Sequence, residues 1–229
     1  MGRNLTVHPS AVVTGLFDEE IRPYDHIPQG YGSEQFLDEG LLLLAAQATH
    51  NIMPTVFPMV GHRLMEPLAQ LRHVAGVGPL TADATRNGRV WKEVRGVPVV
   101  RYTVTPEDVA RLKRGLELSM QMLVAAGARR LYPGVMGVGS LAPHQLDDFR
   151  RRDLSASDIV MATYHPLGTC QMGTDPRSSV VGLDHQAHDV PGLFVVDGSA
   201  VRGPLGVNPQ LTIMAVAARA ADQISPRIA

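Results

Sequence analysis

The chain of 229 residues has little of several residue types that define whole classes of protein. Its single cysteine, Cys170, excludes an internal disulfide framework and a multi-cysteine zinc site. Only Lys92 and Lys113 are lysines and the net charge is −1, so no basic field exists to attract nucleic acid or an anionic membrane. The longest strongly apolar run, at 41–46, falls far below the ~20 residues of a membrane helix. Residues 1–10 lack the layout of a signal peptide. We therefore expect a soluble, cytoplasmic protein without a nucleic-acid partner or a membrane span.

What is present indicates a globular fold, because 45% of the residues are hydrophobic and 19% are charged. Apolar and β-branched stretches predict strands at 11–17, 76–84, 89–94, 97–104 and 193–197. Apolar spacing of three and four predicts helices at 60–75, 109–125 and 211–224. The periodicity of 34–48 does not decide between a strand alone and a strand followed by a helix. The Asn87-Gly88 pair predicts a hairpin between the strands at 76–84 and 89–94.

The helix at 109–125 has the clearest signals at both ends. Thr105 is a typical N-cap, Pro106 suits the first helical position, and Gly127 is typical of a residue just past a C-terminus. With strands more frequent early and a strand–loop–helix unit at the end, the predicted fold class is α+β.

Several motifs are weak on physical grounds. Residues 137–142 match Gly-x-Gly-x-x-Ala, but Pro133 and Pro143 flank them where a dinucleotide site needs a strand and a helix. The pair His185 and His188 could ligate a metal, yet it lacks further ligands, so we expect a solvated loop and no metal site. Cys170 is expected to be a structural thiol. Apolar residues at 53, 57, 59 and 65 fit a substrate pocket or core packing equally well.

Two segments are better candidates for chemistry. In Tyr164–Gly173, His165 stands between a tyrosine and a proline on a glycine-containing loop, an arrangement that suits a fixed functional side chain. In 206–213, Asn208 and Pro209 precede a helix, whose N-terminal N–H groups attract anions and electron-rich oxygens. Taken alone, the first segment is better explained by a structural histidine and the second by an ordinary N-cap with proline in the first turn.

In order and spacing, these blocks resemble the C-terminal half of the glucose–methanol–choline (GMC) flavin oxidoreductases. The matching segments are His165-Pro166-Leu167-Gly168-Thr169-Cys170-x-Met172-Gly173, then Val190–Ser199, then Gly206-Val207-Asn208-Pro209-x-x-Thr212-Ile213. The segment Gly2-Arg3-Asn4-Leu5-x-x-His8-Pro9 is similar to the one at which the flavin domain of the family meets its substrate domain. The resemblance implies FAD as the cofactor and oxidation of an alcohol CH–OH group by hydride transfer to the flavin.

The resemblance also implies roles for single residues. His165 would be the catalytic base and Asn208 its partner, as in the branch of the family that includes cholesterol, choline and long-chain-alcohol oxidases. Asp197 and Gly198 would hold the pyrophosphate–ribityl region of FAD. Asn208, Pro209 and Gln210 would contact the flavin.

The fold that the resemblance implies is an antiparallel sheet with helices on one face. The implied domains are the end of the flavin domain at 1–20, a substrate-binding domain at 21–155 and a catalytic segment returning to the flavin domain at 156–229. The Gly-x-Gly-x-x-Gly unit that binds the ADP part of FAD in the family is not among these residues. We therefore expect a flavin-domain chain or N-terminal half as partner, which predicts an exposed apolar face. A non-catalytic fragment or structural subunit is the alternative, and a histidine-based hydrolase is a weaker one.

Overall fold

The computed structural model of the chain describes residues 1–25, 27–46 and 53–228. They form two compact units, each assembled from segments distant in sequence. Unit 1 comprises Met1–His8, Ala82–Thr103 and Thr163–Ala229, and unit 2 comprises Pro9–Thr81 and Val104–Ala162. Residues 82–103, placed by the sequence within the domain at 21–155, thus belong to unit 1. The functional roles assigned to the domains stay predictions.

The regular elements among the described residues are short except for two helices. The strands are β1 (Arg3–Leu5), β2 (Val13–Leu16), β3 (Gly32–Ser33), β4 (Leu41–Ala46), β5 (Val74–Thr81), β6 (Gly88–Val94), β7 (Val97–Arg101) and β8 (Arg130–Tyr132). The helices are α1 (Met53–Val56), α2 (His62–Leu68), α3 (Pro106–Ala125), α4 (Leu146–Arg150) and α5 (Gln210–Ile228). The 3₁₀ turns are Pro23–Asp25, Leu37–Glu39, Leu71–His73, Pro143–Gln145 and Ala156–Asp158.

Unit 2 is built on a five-stranded antiparallel sheet in the order β3-β4-β5-β2-β8. The long helix α3 packs against β2, β4 and β5, and its buried side chains enter the core of the unit. These are Leu112, Leu116, Met120 and Leu123. The short helices α1 and α2 contribute to a second cluster with Leu16, Val74 and Tyr132. The predicted α+β class with an antiparallel sheet is confirmed.

Both ends of α3 form as the sequence predicts. The amide of Asp108 donates to Thr105 Oγ1 at 3.2 Å, and the amide of Thr105 donates to Asp108 Oδ2 at 2.8 Å, which is a capping box. At the other end Gly127 has a φ of 99°. There the amide of Ala128 donates to the carbonyl of Leu123, so the helix ends in a Schellman motif.

In unit 1, the strands β1, β6 and β7 form a three-stranded antiparallel sheet in the order β1-β6-β7. The hairpin that joins β6 to β7 turns at Arg95-Gly96, where both residues have positive φ (54° and 82°). The hairpin predicted at Asn87-Gly88 is wrong, because β5 and β6 lie in different sheets. The Asn87 side chain instead donates to the carbonyl of Thr103 and accepts from its amide.

Other predicted elements differ in extent or type. The helix expected at 60–75 stops at Leu68, and β5 already starts at Val74. The ambiguous segment 34–48 forms a 3₁₀ turn and then β4, and its last two residues lie outside the described ones. The strand expected at 193–197 is not regular: Phe194 makes an isolated bridge to Gln186. The helix expected at 211–224 is confirmed as α5.

Helix α5 exposes apolar side chains near its start, with Leu211 79% and Met214 58% exposed. Residues three apart share one face of a helix, so the two form an apolar stripe. The larger apolar face expected where a flavin-domain partner binds stays a prediction. Among the described residues, no helix is both long and apolar enough to cross a membrane.

Gly115 on α3 provides a test of the packing in unit 2. A Cβ atom there would lie 2.3 Å from Cβ of Pro79 on β5. In an exposed helix, alanine would be more stabilising than glycine by roughly 1 kcal/mol. We expect Gly115→Ala instead to lower the free energy of unfolding by about 1–3 kcal/mol, because helix and strand must separate. Urea denaturation measures this, and Met122→Ala, at a position 44% exposed on the same helix, is the control. A stabilised Gly115→Ala variant would contradict the close contact.

Candidate functional site

A cavity of about 440 Å³ in unit 1 brings together four of the residues singled out by the sequence. They are His165, Asp197, Gly198 and Pro209. Asn208 and Gln210 flank Pro209 in the chain but are not part of the lining. The full lining is Leu5, Val90, Tyr164, His165, Pro166, Thr169, Asp197, Gly198, Ser199, Pro209 and Ile213.

The loop that carries His165 is held by backbone hydrogen bonds on both sides. The amide and carbonyl of Leu167 pair with those of Thr6, at 3.0 and 3.1 Å. Further along, the amide of Cys170 donates to the carbonyl of Ser199 at 2.8 Å. Gly168 has a φ of 88°, and a Cβ there would lie 2.5 Å from the carbonyl oxygen of Asn4. The loop therefore needs glycine at this position to lie against the N-terminal segment.

Asp197, Gly198 and Ser199 form a tight turn at the cavity wall. Asp197 Oδ1 accepts a hydrogen bond from the amide of Ser199 at 2.8 Å and another from its hydroxyl. A Cβ on Gly198 would lie 3.1 Å from Cδ1 of Ile213 and 3.2 Å from the carbonyl oxygen of Pro166. The small residue thus lets the turn approach both α5 and the loop of His165.

Helix α5 begins beside the same cavity. The amide of Ile213 donates to the carbonyl of Pro209 at 2.9 Å, which is the first turn of the helix. The amides before it belong to the first turn, where no carbonyl of the helix itself can be their acceptor. This end also carries the positive pole of the helix dipole, so it attracts electron-rich atoms. Pro209 places that end in the cavity lining, with half-buried Asn208 next to it.

The structure adds one residue to which sequence reasoning assigned no role. His8 is 1% exposed, and its Nε2 accepts hydrogen bonds from the amides of Leu205 and Gly206 at 3.0 and 3.1 Å. Its ring lies edge-on to that of His165, with centroids 5.5 Å apart and planes at 71°. The only sequence signal was its place in the segment Gly2–Pro9.

A buried carboxylate fixes the backbone at His8. Asp83 accepts hydrogen bonds from the amides of Val7 and His8, each at 2.9 Å, and from the hydroxyl of Tyr102 at 2.7 Å. His8 has a φ of 52°, a conformation that few residues other than glycine adopt. The carboxylate of Asp83 thus holds the chain in this turn.

Burial favours the neutral form of both histidines. The pKa of His8 falls from 6.5 to about 4, chiefly through burial; nearby Asp83 opposes this shift and His165 adds to it. Burial also lowers the pKa of His165. Both rings are consequently neutral at pH 7, and a neutral His165 can accept a proton.

The remaining sequence motifs lie outside this cavity. Gly137 and Gly139 sit in a turn of unit 2 with positive φ, and the adjoining 3₁₀ segment starts at Pro143, so the match at 137–142 opens no regular helix. The side chain of His188 contacts Ser179 Oγ at 2.9 Å, while His185 is buried with Nδ1 3.3 Å from the carbonyl of Val195. No metal-binding group of three or more His, Cys, Asp or Glu occurs in the part of the chain that the structure describes.

Two further expectations concern apolar and sulfur side chains. Cys170 is a buried free thiol, in agreement with a structural role. Met53 and Phe57 are buried in the second cluster of unit 2 and Met59 packs against it, whereas Met65 is exposed. Core packing therefore accounts for three of these four apolar residues.

Comparisons with known proteins identify the family of the chain. The family model of the GMC oxidoreductases matches residues 85–217. An uncharacterized GMC-type oxidoreductase of Mycobacterium tuberculosis is 31% identical over 230 residues, covering 100% of this chain and 36% of that protein. A long-chain-alcohol oxidase of Arabidopsis thaliana is 25% identical over 247 residues, covering 95% of this chain and 32% of that protein.

Among solved structures, a formate oxidase of Aspergillus oryzae, studied for the effect of a mutation on FAD modification, superposes with a TM-score of 0.66. It is 14% identical and the match covers 99% of this chain and 47% of that one, which shows a shared fold. The chain spans about a third of the length of the curated relatives described above. Because the family model matches more than half of its residues, the chain belongs to the GMC oxidoreductase family.

Proposed function

We propose that this chain supplies the substrate-side catalytic residues and part of the cofactor site of an FAD-dependent oxidoreductase that acts on alcohols. The observation that carries the proposal is the convergence of His165, Asp197 and Gly198 with the start of α5 on one cavity. Family membership supports oxidoreductase activity, and a long-chain-alcohol oxidase among the relatives supports an alcohol as substrate.

The residues of the cavity fit the flavin end of FAD. The lining of the cavity is mostly apolar, as suits a flat ring. The N-terminus of α5, which carries the positive pole of the helix dipole, also lies at the cavity. Gly198 leaves the turn without a side chain on the wall, and the Asp197 carboxylate lies on that wall as an acceptor for hydroxyl groups. Asn208 and the backbone of Pro209 and Gln210 would contact the ring at the helix start.

His165 and Asn208 would act on the substrate hydroxyl. When bound, FAD would accept the hydride from the alcohol carbon. His165, neutral at pH 7, would take the hydroxyl proton, and the alcohol would leave as a carbonyl compound. The hydride would carry two electrons and one proton, and the second proton would stay on the imidazole. The side-chain amide of Asn208 would orient the hydroxyl by a hydrogen bond.

We further propose that another polypeptide segment binds the ADP part of the cofactor. The apolar stripe of Leu211 and Met214 on α5 is one surface that such a segment could cover. Visible spectra of the purified chain with added FAD, alone and co-expressed with a flavin-domain polypeptide, test this. A flavin band that appears only on co-expression supports the proposal. A band that appears in neither preparation would favour a non-catalytic subunit.

The cofactor contact predicts a loss of affinity. In the flavin-loaded protein containing this chain, we expect Asp197→Ala to weaken FAD binding about tenfold, because one hydrogen bond to a carboxylate is worth about 1.5 kcal/mol. Titration of the apoprotein with FAD, followed by flavin absorbance, gives the dissociation constant. Asp189→Ala, at an exposed position outside the cavity lining, is the matched control. Equal FAD affinity of the two variants would remove Asp197 from the site.

The catalytic pair predicts a loss of rate. We expect His165→Ala to slow anaerobic flavin reduction by an alcohol by about 100-fold or more, because the hydroxyl proton loses its acceptor. Asn208→Ala should slow it about tenfold or more through lost orientation. Stopped-flow bleaching of the flavin band measures the rate, with His188→Ala as control because that histidine contacts Ser179 outside the cavity. A double variant of His165 and Asn208 with unchanged flavin reduction would refute the mechanism.

A further inference from the structure

We propose that His8 is a positioning residue of this site, whose neutral imidazole fixes the loop leading to Asn208 and packs against the ring of His165. The inference rests on the proposed function for its catalytic consequence, while its structural part stands on unit 1 alone. His8 is separated from Leu205 by 197 positions in the chain, so this contact joins two ends of the sequence.

The hydrogen bonds to His8 define its protonation. Both partners of Nε2 are backbone N–H groups, which can only donate, so Nε2 must present a lone pair. The neutral ring therefore carries its proton on Nδ1. A protonated ring would have a hydrogen on Nε2 and would lose both hydrogen bonds at once.

The two amides that donate to His8 lie just before the proposed partner of His165. Leu205 and Gly206 precede Asn208 by three and two residues. Gly206 has a φ of 75°, so the loop turns there. Because both amides end on one ring nitrogen, His8 sets where the loop enters the start of α5.

The same ring also contacts His165 directly. The edge-on arrangement, with centroids 5.5 Å apart, is a favoured geometry for two aromatic rings. The backbone at His8 is also fixed, because Asp83 accepts hydrogen bonds from the amides of Val7 and His8. The charged and titratable groups that act on His8 are thus Asp83, bonded to the hydroxyl of Tyr102, and His165.

A second observation sets His8 apart from an ordinary core residue. Its Nδ1 is buried and has no hydrogen-bond partner among the described residues. A buried N–H donor without an acceptor is destabilising, and an apolar side chain of similar size would avoid it. The two hydrogen bonds that Nε2 accepts from the loop offset this cost.

Two substitutions separate positioning from simple filling of space. The side-chain amide of Gln reaches about as far as Nε2 of histidine and can accept the two hydrogen bonds, whereas that of Asn ends near the position of Nδ1. Asn also tolerates positive φ well, so His8→Asn is expected to fold. His185→Asn is the matched control, since His185 is also fully buried with positive φ (67°) and is not in the cavity lining.

The first readout is independent of catalysis. Amide hydrogen exchange of the peptide 203–209, measured by mass spectrometry on the full protein, should accelerate about tenfold or more in His8→Asn. Exchange should return close to the wild-type rate in His8→Gln and stay unchanged in His185→Asn. Unchanged exchange in His8→Asn would overturn the proposal, whatever the enzyme does.

The second readout is the reductive half-reaction with an alcohol. His8→Asn should lower the limiting rate of flavin reduction about 10- to 100-fold, because small displacements of catalytic groups have large effects. The substrate concentration at half-saturation should change less than about threefold, and His8→Gln should recover most of the rate. A fall in His8→Gln as large as in His8→Asn would show that the ring only fills space. If the wild-type flavin is not reduced by any alcohol, the proposed function fails, and the exchange data still decide the positioning of the loop.

A third readout follows from the acid sensitivity of the ring. Because the pKa of folded His8 lies near 4 and its ordinary value is 6.5, the unfolded chain binds the proton first as pH falls. The free energy of unfolding should decline between about pH 6.5 and pH 4. When pH is lowered from 7 to 4.5, the midpoint of urea denaturation should therefore drop less in His8→Gln than in the wild type. An identical drop in both proteins would overturn the assignment of a neutral, hydrogen-bonded His8.

Discussion

The contact on which unit 1 most depends is the pair of hydrogen bonds from the amides of Leu205 and Gly206 to His8. The unit is assembled from three segments far apart in sequence, and its sheet has only three strands. Apart from Leu5 on β1 and Val90 on β6, the residues of the cavity lie on loops and at one helix start, where no strand ladder fixes them. Buried hydrogen bonds fix these residues instead. The hydrogen bonds of Asp83 and His8 connect all three segments of the unit.

Close backbone approach is the second constraint on the site. Gly168 lies against the carbonyl of Asn4, and Gly198 lies between the loop of His165 and α5. A side chain at Gly168 would separate the loop from the N-terminal segment, which also carries His8. The glycines and the buried histidine therefore act on the same geometry, since both determine how near His165 lies to the start of α5.

The sequence could predict what is encoded locally. Helix α3 carries its capping box, its apolar face and its terminal glycine within about twenty residues, so both ends were found. The hairpin predicted at Asn87-Gly88 is wrong because β6 pairs with β7 and with β1, not with β5. The strand β1 lies more than eighty residues away, and no local signal indicates this pairing. Ordered motifs predict His165, Asp197 and Asn208 as site residues, and the first two line the cavity. His8 was missed as a site residue because its role depends on amides near the other end of the chain.

Burial of His165 sets the kind of base that it would be in the proposed reaction. A depressed pKa keeps the imidazole free of a proton at pH 7, but it also makes the ring a weak base. A weak base suffices if the hydroxyl becomes strongly acidic during the reaction, which happens when a hydride leaves the carbon and a carbonyl forms. In the proposed reaction, His165 would then receive the proton as the carbonyl forms. On this view the position of His165 matters more than its basicity, which is why a residue that fixes its surroundings, His8, can control the rate without touching the substrate.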